Sequence, residues 1–354
     1  MGINKTLELM RELTQVMAVS GNEINISRIL QKYYREYTDE IIYDNLGSVY
    51  GVKRSKKKNQ LKVMLASHMD EVGFIVKDFT NNGLIKVLSL GNYSKQGLLG
   101  QRVRVITNNG EEYKGAIVSK SNSDNVLDDN SILIDIGTAS IDELLSLGIN
   151  HGDSIVVDGS FEVLATGKRI MSKAWNSRYG CVLGVEILEA LKDVDLDFDL
   201  YVGCTVQHEV GLRGSQTSTN LISPDLAIVL DCLKADDIEE KYDSVGKLGD
   251  GVLINFYDKS MMPNRALLNY FKTICRNNDI KYQFYYSMLD GDGGWIHKLL
   301  RGCPTLNASI CARNVENNSS IIDMNDYLSA KDAVIRFVKS LNIEIIDMFK
   351  TENR

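Results

Sequence analysis

The segment that decides the fold of this chain runs from residue 63 to residue 71 and reads VMLASHMDE. Its first four residues are apolar and predict a buried strand, and His68 and Asp70 follow that strand directly. An imidazole at a strand end can bind a metal ion, and a carboxylate two residues later can orient it. Because α/β sheets bind ligands beyond the carboxyl ends of their strands, the segment predicts an α/β fold with a site at this edge.

Two further strand ends carry side chains of the same kind. The segment TVQHEVG (205–211) ends a strand with His208 and Glu209, and LAIVLDC (226–232) ends another with Asp231. A lone histidine after a strand is more often structural than a ligand, and an aspartate there is usually a turn former or helix cap. Three such ends in one chain favour a site over these structural explanations.

The chain changes in character twice along its length. Residues 5–70 predict two helices and two strands, and short alternating runs separated by turn residues between 71 and 165 predict a small β-rich module. From about residue 170, strands alternate with helices. We therefore expect an α/β domain formed by residues 1–70 and 166–354, with residues 71–165 inserted into it.

Composition excludes several classes of protein. The 354 residues carry a net charge of −7, which argues against a nucleic-acid partner. No apolar run reaches the ~18 residues of a membrane span, and the N-terminus has charges where a signal peptide needs its apolar stretch. The six cysteines are scattered singly, as expected of buried thiols in a reducing cytosol. We expect a cytoplasmic protein without a membrane partner.

Six segments together resemble the tetrahedral or glutamyl aminopeptidase family of dinuclear metallo-exopeptidases, which includes the deblocking aminopeptidases. They read SHMDEVGF (67–74), KAWNSRYG (173–180), QHEVGLRG (207–214), DC (231–232), DGDGG (290–294) and CARNVE (311–316). The resemblance implies a mixed sheet flanked by helices, with the inserted module as a β-barrel-like dimerisation domain. It also implies two divalent ions, usually zinc or cobalt, removal of N-terminal residues from peptides, and dimers that assemble into dodecamers.

Four positions keep the residue that the resemblance implies. His68 stands at the first terminal metal ligand and Asp70 at the carboxylate that orients it. Glu209 and Asp231 stand at ligand positions with carboxylates.

Three other positions depart from the family. Asn176 replaces the aspartate that bridges the two ions, His208 replaces the glutamate general base, and Glu316 replaces the second histidine ligand. A bridging carboxylate holds two dications ~3.5–4 Å apart, whereas an asparagine offers one neutral oxygen. The remaining imidazoles and carboxylates suffice for one zinc ion with an open position, and the loss of the bridge argues against two. Asp70 and His208 are the candidate catalytic residues. Asp70 orients the His68 ligand, and His208 can act as a base near neutral pH unless it binds the metal itself.

Two functions remain open. One is a metallo-aminopeptidase with an altered, mononuclear or weakened centre, and the other is a catalytically silent subunit that binds peptides or serves assembly. A glycoside hydrolase is disfavoured because the chain lacks the close pair of carboxylic acids that this chemistry uses. The expected partners are peptides and further copies of the same chain.

Overall fold

A mixed nine-stranded sheet with helices on both faces forms the larger part of the fold. The computed structural model describes residues 2–57, 61–119, 131–239 and 244–352. Within these residues the helices are α1 (Ile3–Gln15), α2 (Ile24–Tyr37), α3 (Ile141–Ser146), α4 (Trp175–Leu191), α5 (Arg213–Ile222), α6 (Arg265–Asn277), α7 (Gly293–Ile296), α8 (Met324–Ser340) and α9 (Ile343–Thr351), with a 3₁₀ turn at Lys95–Gly97.

The strands of the large sheet follow the order β1-β2-β12-β3-β13-β17-β15-β16, and β14 pairs with β17 off this path. Strands β3, β12, β13 and β17 run parallel to one another, whereas β2 and β15 pair with their neighbours β12 and β17 in antiparallel fashion. The strands of this sheet are β1 (Glu40–Tyr43), β2 (Val49–Lys53), β3 (Lys62–His68), β12 (Asp199–Thr205), β13 (Leu226–Val229), β14 (Cys232–Lys234), β15 (Val252–Asp258), β16 (Tyr282–Ser287) and β17 (Thr305–Ala312).

Strand β3 shows why the sheet is covered on both faces. Its side chains alternate between faces, as the two-residue repeat of a strand requires. Val63 and Leu65 pack into the core beneath α1, α2, α4, α6, α8 and α9, and Met64 and Ala66 pack into a second core that includes Ile222 of α5 and Ile296 of α7. A strand buried on both faces reads as a continuous apolar run, which is what residues 63–66 show.

A closed six-stranded barrel is inserted after β3. Its strands follow the order β4-β5-β8-β7-β6-β9 around a separate core that contains Phe74, Val105 and Ile155. Closure removes the free edges that an open sheet would expose. The strands are β4 (Gly73–Phe79), β5 (Ile85–Leu90), β6 (Arg102–Ile106), β7 (Glu112–Ser119), β8 (Ile132–Asp135) and β9 (Ser154–Val157); a small separate sheet contains β10 (Glu162–Val163), β11 (Arg169–Ser172) and β18 (Ser320–Asp323).

The expected fold class is confirmed: a mixed α/β architecture whose sheet is flanked by helices and interrupted by a small barrel. All six cysteines are free and buried, as the scattered spacing predicts. In the described part of the chain, no helix is both long enough and apolar enough to cross a membrane.

A buried charge cluster joins the barrel to the α/β part. Glu71 lies just before β4, and both of its carboxylate oxygens accept from Lys173 Nζ at 2.7 Å. Arg178 of α4, 0% exposed, donates to the carbonyls of Leu13 and Met69 at 2.5 and 2.8 Å and lies 3.4 Å from the Glu71 carboxylate. The cluster thus ties α1, the end of β3 and the start of the barrel to one side chain.

Replacing Arg178 by methionine should destabilise the protein by about 3–5 kcal/mol, because buried carbonyls and the Glu71 carboxylate lose a charged partner. Urea unfolding measures this loss. The matched control is Arg336→Met on α8, whose exposed i,i+4 pair with Asp332 should contribute under about 1 kcal/mol. Equal losses in the two variants would contradict the argument.

Candidate active site

The parallel strands bring the predicted side chains to one edge of the sheet. Strand β3 ends at His68, β12 ends three residues before His208, and β13 ends two residues before Asp231. Because β12 and β13 flank β3 and run parallel to it, their carboxyl ends meet there. Glu316 reaches the same cleft from the segment after β17. These candidate residues therefore lie near one another at one edge of the sheet.

His68 is 1% exposed and bonded through both ring nitrogens. Its Nε2 lies 2.9 Å from Asn176 Oδ1 and 3.9 Å from Asp231 Oδ1. Its Nδ1 lies 3.1 Å from the backbone carbonyl of Asp70 and 3.5 Å from the Asp70 carboxylate. Asp70 thus orients the ring, chiefly through its main chain. Asn176 reaches His68 from the first turn of α4, where the backbone at 176 and 177 is non-helical.

His208 stacks on His68 and pairs with an aspartate that the sequence did not single out. The two rings lie 3.8 Å apart between centroids, with 11° between their planes. His208 Nδ1 lies 3.0 Å from Asp292 Oδ1, and Thr205 Oγ1 donates to the other Asp292 oxygen at 2.7 Å. Asp292 belongs to the quoted DGDGG segment, but nothing in the sequence indicated which segment it faces.

The carboxylate of Asp70 holds the loop after β12. It accepts the backbone N–H groups of His208 at 3.1 Å and Glu209 at 3.0 Å, and the Ser20 hydroxyl donates to it at 2.5 Å. Glu23 holds the preceding residue of the same loop. Its Oε1 accepts from the backbone N–H groups of Gln207 and Gly21 at 2.9 Å each. The sequence analysis did not identify Ser20 or Glu23 as candidate site residues.

Glu209 and Glu316 lie in the same cleft without forming one ligand set. Glu209 Oε2 would lie 2.6 Å from a Cβ placed at Gly91, so the barrel loop passes close to this carboxylate only because residue 91 is glycine, at φ +80°. Glu316 is half-buried, and the hydrogen bond that the structure gives this residue uses its main-chain carbonyl, which accepts from Ser94 N.

A cavity of about 670 Å³ opens over these residues, between the barrel and the α/β part. Barrel-side residues such as Val72 line it together with Asn176 from α4, His208 and Glu209 from the sheet edge and Trp295 from α7. This volume lies within the range typical of small-ligand sites.

The titratable groups of the site change one another's pKa values. Burial lowers the pKa of His68, but the hydrogen bond and charge of Asp70, with the charges of Asp231 and Glu209, raise it overall to about 10. Burial and His68 lower the pKa of His208, but the charge and hydrogen bond of Asp292, with the charge of Glu209, raise it overall. Burial also raises the pKa of Glu209 to about 7. The site thus favours protonated imidazoles beside carboxylates.

A family model described as M42 glutamyl aminopeptidase matches residues 47–332. The chain belongs to the M42 glutamyl aminopeptidase family. It is 31% identical over 350 residues to a glutamyl aminopeptidase of Lactococcus lactis subsp. cremoris, with 96% of this chain and 98% of that protein covered.

Solved M42-like structures share the whole fold. A TET aminopeptidase from a marine sediment thaumarchaeote superposes with a TM-score of 0.93 at 32% identity, covering 99% of this chain and all of that one. The TET1 peptidase of Pyrococcus horikoshii, described as assembling into a tetrahedron or a large octahedral shell, superposes with a TM-score of 0.84 at 24% identity, covering 95% and 100%. The second likeness concerns the fold alone.

The residues present do not fit a centre of two divalent ions. In the portions of the chain that the structure describes, no group of three or more His, Cys, Asp or Glu side chains is arranged to hold a metal ion. Asn176 offers a neutral amide where two ions would need a shared carboxylate, and its oxygen is hydrogen-bonded to His68 Nε2. The His208 imidazole is bonded to Asp292 and stacked on His68.

The buried carboxyl group of Glu23 makes the stability of the fold depend on pH. Burial, with the charge of Asp70, raises its pKa from 4.5 to about 7. Protonation is therefore favoured in the folded state, and this contribution to stability is present below pH 4.5 and lost as the pH rises through 7. Glu23→Gln keeps the acceptor oxygen without the charge. Its stability should match wild type near pH 4.5 and exceed it by at most about 3 kcal/mol at pH 8.

Urea unfolding of both proteins between pH 5 and pH 8 measures this difference. Glu8→Gln on the exposed face of α1 is the control and should show no such trend. A constant difference between wild type and Glu23→Gln across the range would contradict the assignment.

Proposed function

We propose that this protein binds the N-terminal segments of peptides in the cleft, as a member of the M42 family in which removal of the N-terminal residue is weak or lost. The observation that carries this proposal is the 2.9 Å contact between His68 Nε2 and Asn176 Oδ1. A histidine binds a metal ion through a free ring nitrogen, and here the nitrogen that faces the neighbouring carboxylates is bonded to an amide.

The residue at the base position supports the same proposal. A general base must lie within reach of the water that it activates. His208 has one nitrogen bonded to Asp292 and one ring face covered by His68. The family resemblance implies zinc or cobalt ions. At three positions of their site, this chain has a different residue from the one that the resemblance implies: Asn176, His208 and Glu316.

A second candidate is an aminopeptidase with a single ion. The observation that favours it is the convergence of three donor atoms, because Asn176 Oδ1 and Asp231 Oδ1 lie 2.9 and 3.9 Å from His68 Nε2. Three protein ligands and a water are the usual set of a catalytic zinc ion.

Self-association and cytoplasmic location belong to the same proposal. The inserted barrel is the candidate dimerisation domain, and the family resemblance implies dodecamers built from such dimers. Six free, buried cysteines are consistent with a reducing compartment. Analytical ultracentrifugation tests the assembly.

Metal analysis and turnover distinguish the two candidates. Purified protein is dialysed against zinc, cobalt or manganese, its metal content is measured, and it is assayed on a panel of aminoacyl anilides. We expect less than one ion per chain. We also expect at least 100-fold less turnover than in the triple variant Asn176→Asp, His208→Glu, Glu316→His, because a positioned base contributes ~10²–10⁴ in rate.

Asp231→Ala is the control for site-specific turnover. Wild-type turnover that disappears in this variant, with one bound ion per chain, would establish the single-ion aminopeptidase instead. Two bound ions with such turnover would overturn the proposal of a reduced centre.

A further inference from the structure

Two neighbouring asparagines lie in the wall of the cavity with amide groups that nothing in the structure satisfies. Leu253 pairs with Ser309 and Ile254 with Ala308 on the antiparallel strands β15 and β17, and Asn255 and Asn307 are the next residues on the two strands. Asn255 is 1% exposed, Asn307 is 6% exposed, and both line the cavity.

The unpaired atoms form a defined set. Both Nδ2 and Oδ1 of Asn255 and Oδ1 of Asn307 lack a hydrogen-bond partner in the described structure. Asn307 Nδ2 donates to Asp258 Oδ2 at 3.1 Å, and because an ionised carboxylate only accepts, this contact fixes which way the Asn307 amide points. The set therefore contains one free amino group and two free carbonyl oxygens.

The surroundings keep this set in place. The other oxygen of Asp258 accepts the backbone N–H and the hydroxyl of Ser260 at 2.8 and 2.9 Å, so the carboxylate that orients Asn307 is itself held. A Cβ at Gly293 would lie 2.9 Å from Asn307 Oδ1, so the Gly293 backbone lies against this carbonyl oxygen. Buried polar groups are normally paired, and an unpaired cluster beside a cavity indicates a missing partner.

We propose that Asn255 and Asn307 form a subsite for a primary carboxamide, the side chain of glutamine or asparagine in a bound peptide. This inference rests on the proposed peptide binding and specifies which peptides are preferred.

The hydrogen-bonding pattern selects the carboxamide over other side chains. Its carbonyl accepts from Asn255 Nδ2, and its amino group donates to Asn255 Oδ1 and Asn307 Oδ1, so all three free atoms are satisfied at once. A carboxylate would meet the two carbonyl oxygens and the nearby Asp258 without a proton to donate. An ammonium group would leave Asn255 Nδ2 unpaired, and an apolar side chain would leave all three atoms unpaired.

Calorimetric titration of the wild-type protein tests the inference directly. The peptides are Gln-Ala-Ala, Ala-Gln-Ala and Ala-Ala-Gln, each compared with counterparts that carry Met, Glu or Lys in place of Gln. Met and Glu match Gln in length, so a difference reports on the terminal group. At the position that reaches the pocket, we expect the Gln peptide to bind at least tenfold tighter than its Met and Glu counterparts. Mass spectrometry of the recovered peptides verifies that they stay intact.

The variant Asn255→Asp makes the test specific, because it replaces the only free donor by an acceptor and adds a negative charge. We expect it to lose the preference for Gln and to bind the Lys peptide at least tenfold tighter than wild type does. The control Asn269→Asp, the same change on the exposed face of α6, should keep wild-type selectivity. Thermal unfolding verifies that both fold; should Asn255→Asp be unfolded, Asn255→Leu replaces it and should lose the Gln preference.

Each outcome has one meaning. Equal binding of Gln and Met peptides by the wild type, a wild-type preference for Lys, or a Gln preference that survives in the Asn255 variant overturns the subsite alone. Absence of binding for every peptide overturns the proposed peptide binding and the subsite with it.

Discussion

The site depends on the buried carboxylate of Asp70. It receives two consecutive backbone N–H groups of the loop after β12 and the Ser20 hydroxyl from the loop before α2. Hydrogen bonds to an ionised acceptor are about twice as strong as neutral ones, and the Asp70 side chain that accepts these three is fully buried. Because the loop is held through its main chain, its shape does not depend on which side chain stands at position 208. A substitution there can change the chemistry of the site without moving the loop.

Two polar side chains of the cleft, Asn176 and His208, are hydrogen-bonded to other residues of the fold. Asn176 bonds to His68, and His208 bonds to Asp292 and stacks on His68. Both imidazoles have raised pKa values and lie beside carboxylates: His68 beside Asp70, and His208 beside Asp292. A binuclear centre keeps its carboxylates together by the charge of its ions. The positive charge of a protonated His68, whose pKa is raised to about 10, offsets the negative charge of the Asp70 carboxylate in the same way.

The sequence predicts the contacts that follow from strand order and misses those between distant segments. Parallel neighbours must end at one edge, so His68, His208 and Asp231 were expected to converge, and the apolar run at 63–66 identified the central strand. Asp292 could not be assigned to His208, because the two are 84 residues apart and no periodicity relates them. In the barrel, burial alternates along β6 (Arg102–Ile106). Strand β7 (Glu112–Ser119) has one buried residue among half-buried and exposed ones, so its burial does not follow a two-residue repeat.

The proposed carboxamide subsite and the candidate metal site use different parts of this sheet. His208 and Glu316 follow the carboxyl ends of β12 and β17, whereas Asn255 lies within β15, which runs antiparallel to β17. Asp258, which orients the Asn307 amide, is bonded to neither histidine. A change in the metal ligands therefore leaves the unpaired amides where they are. A cavity with an oriented polar wall can select a ligand independently of the residues at the candidate metal site, because selection requires no bond to be broken.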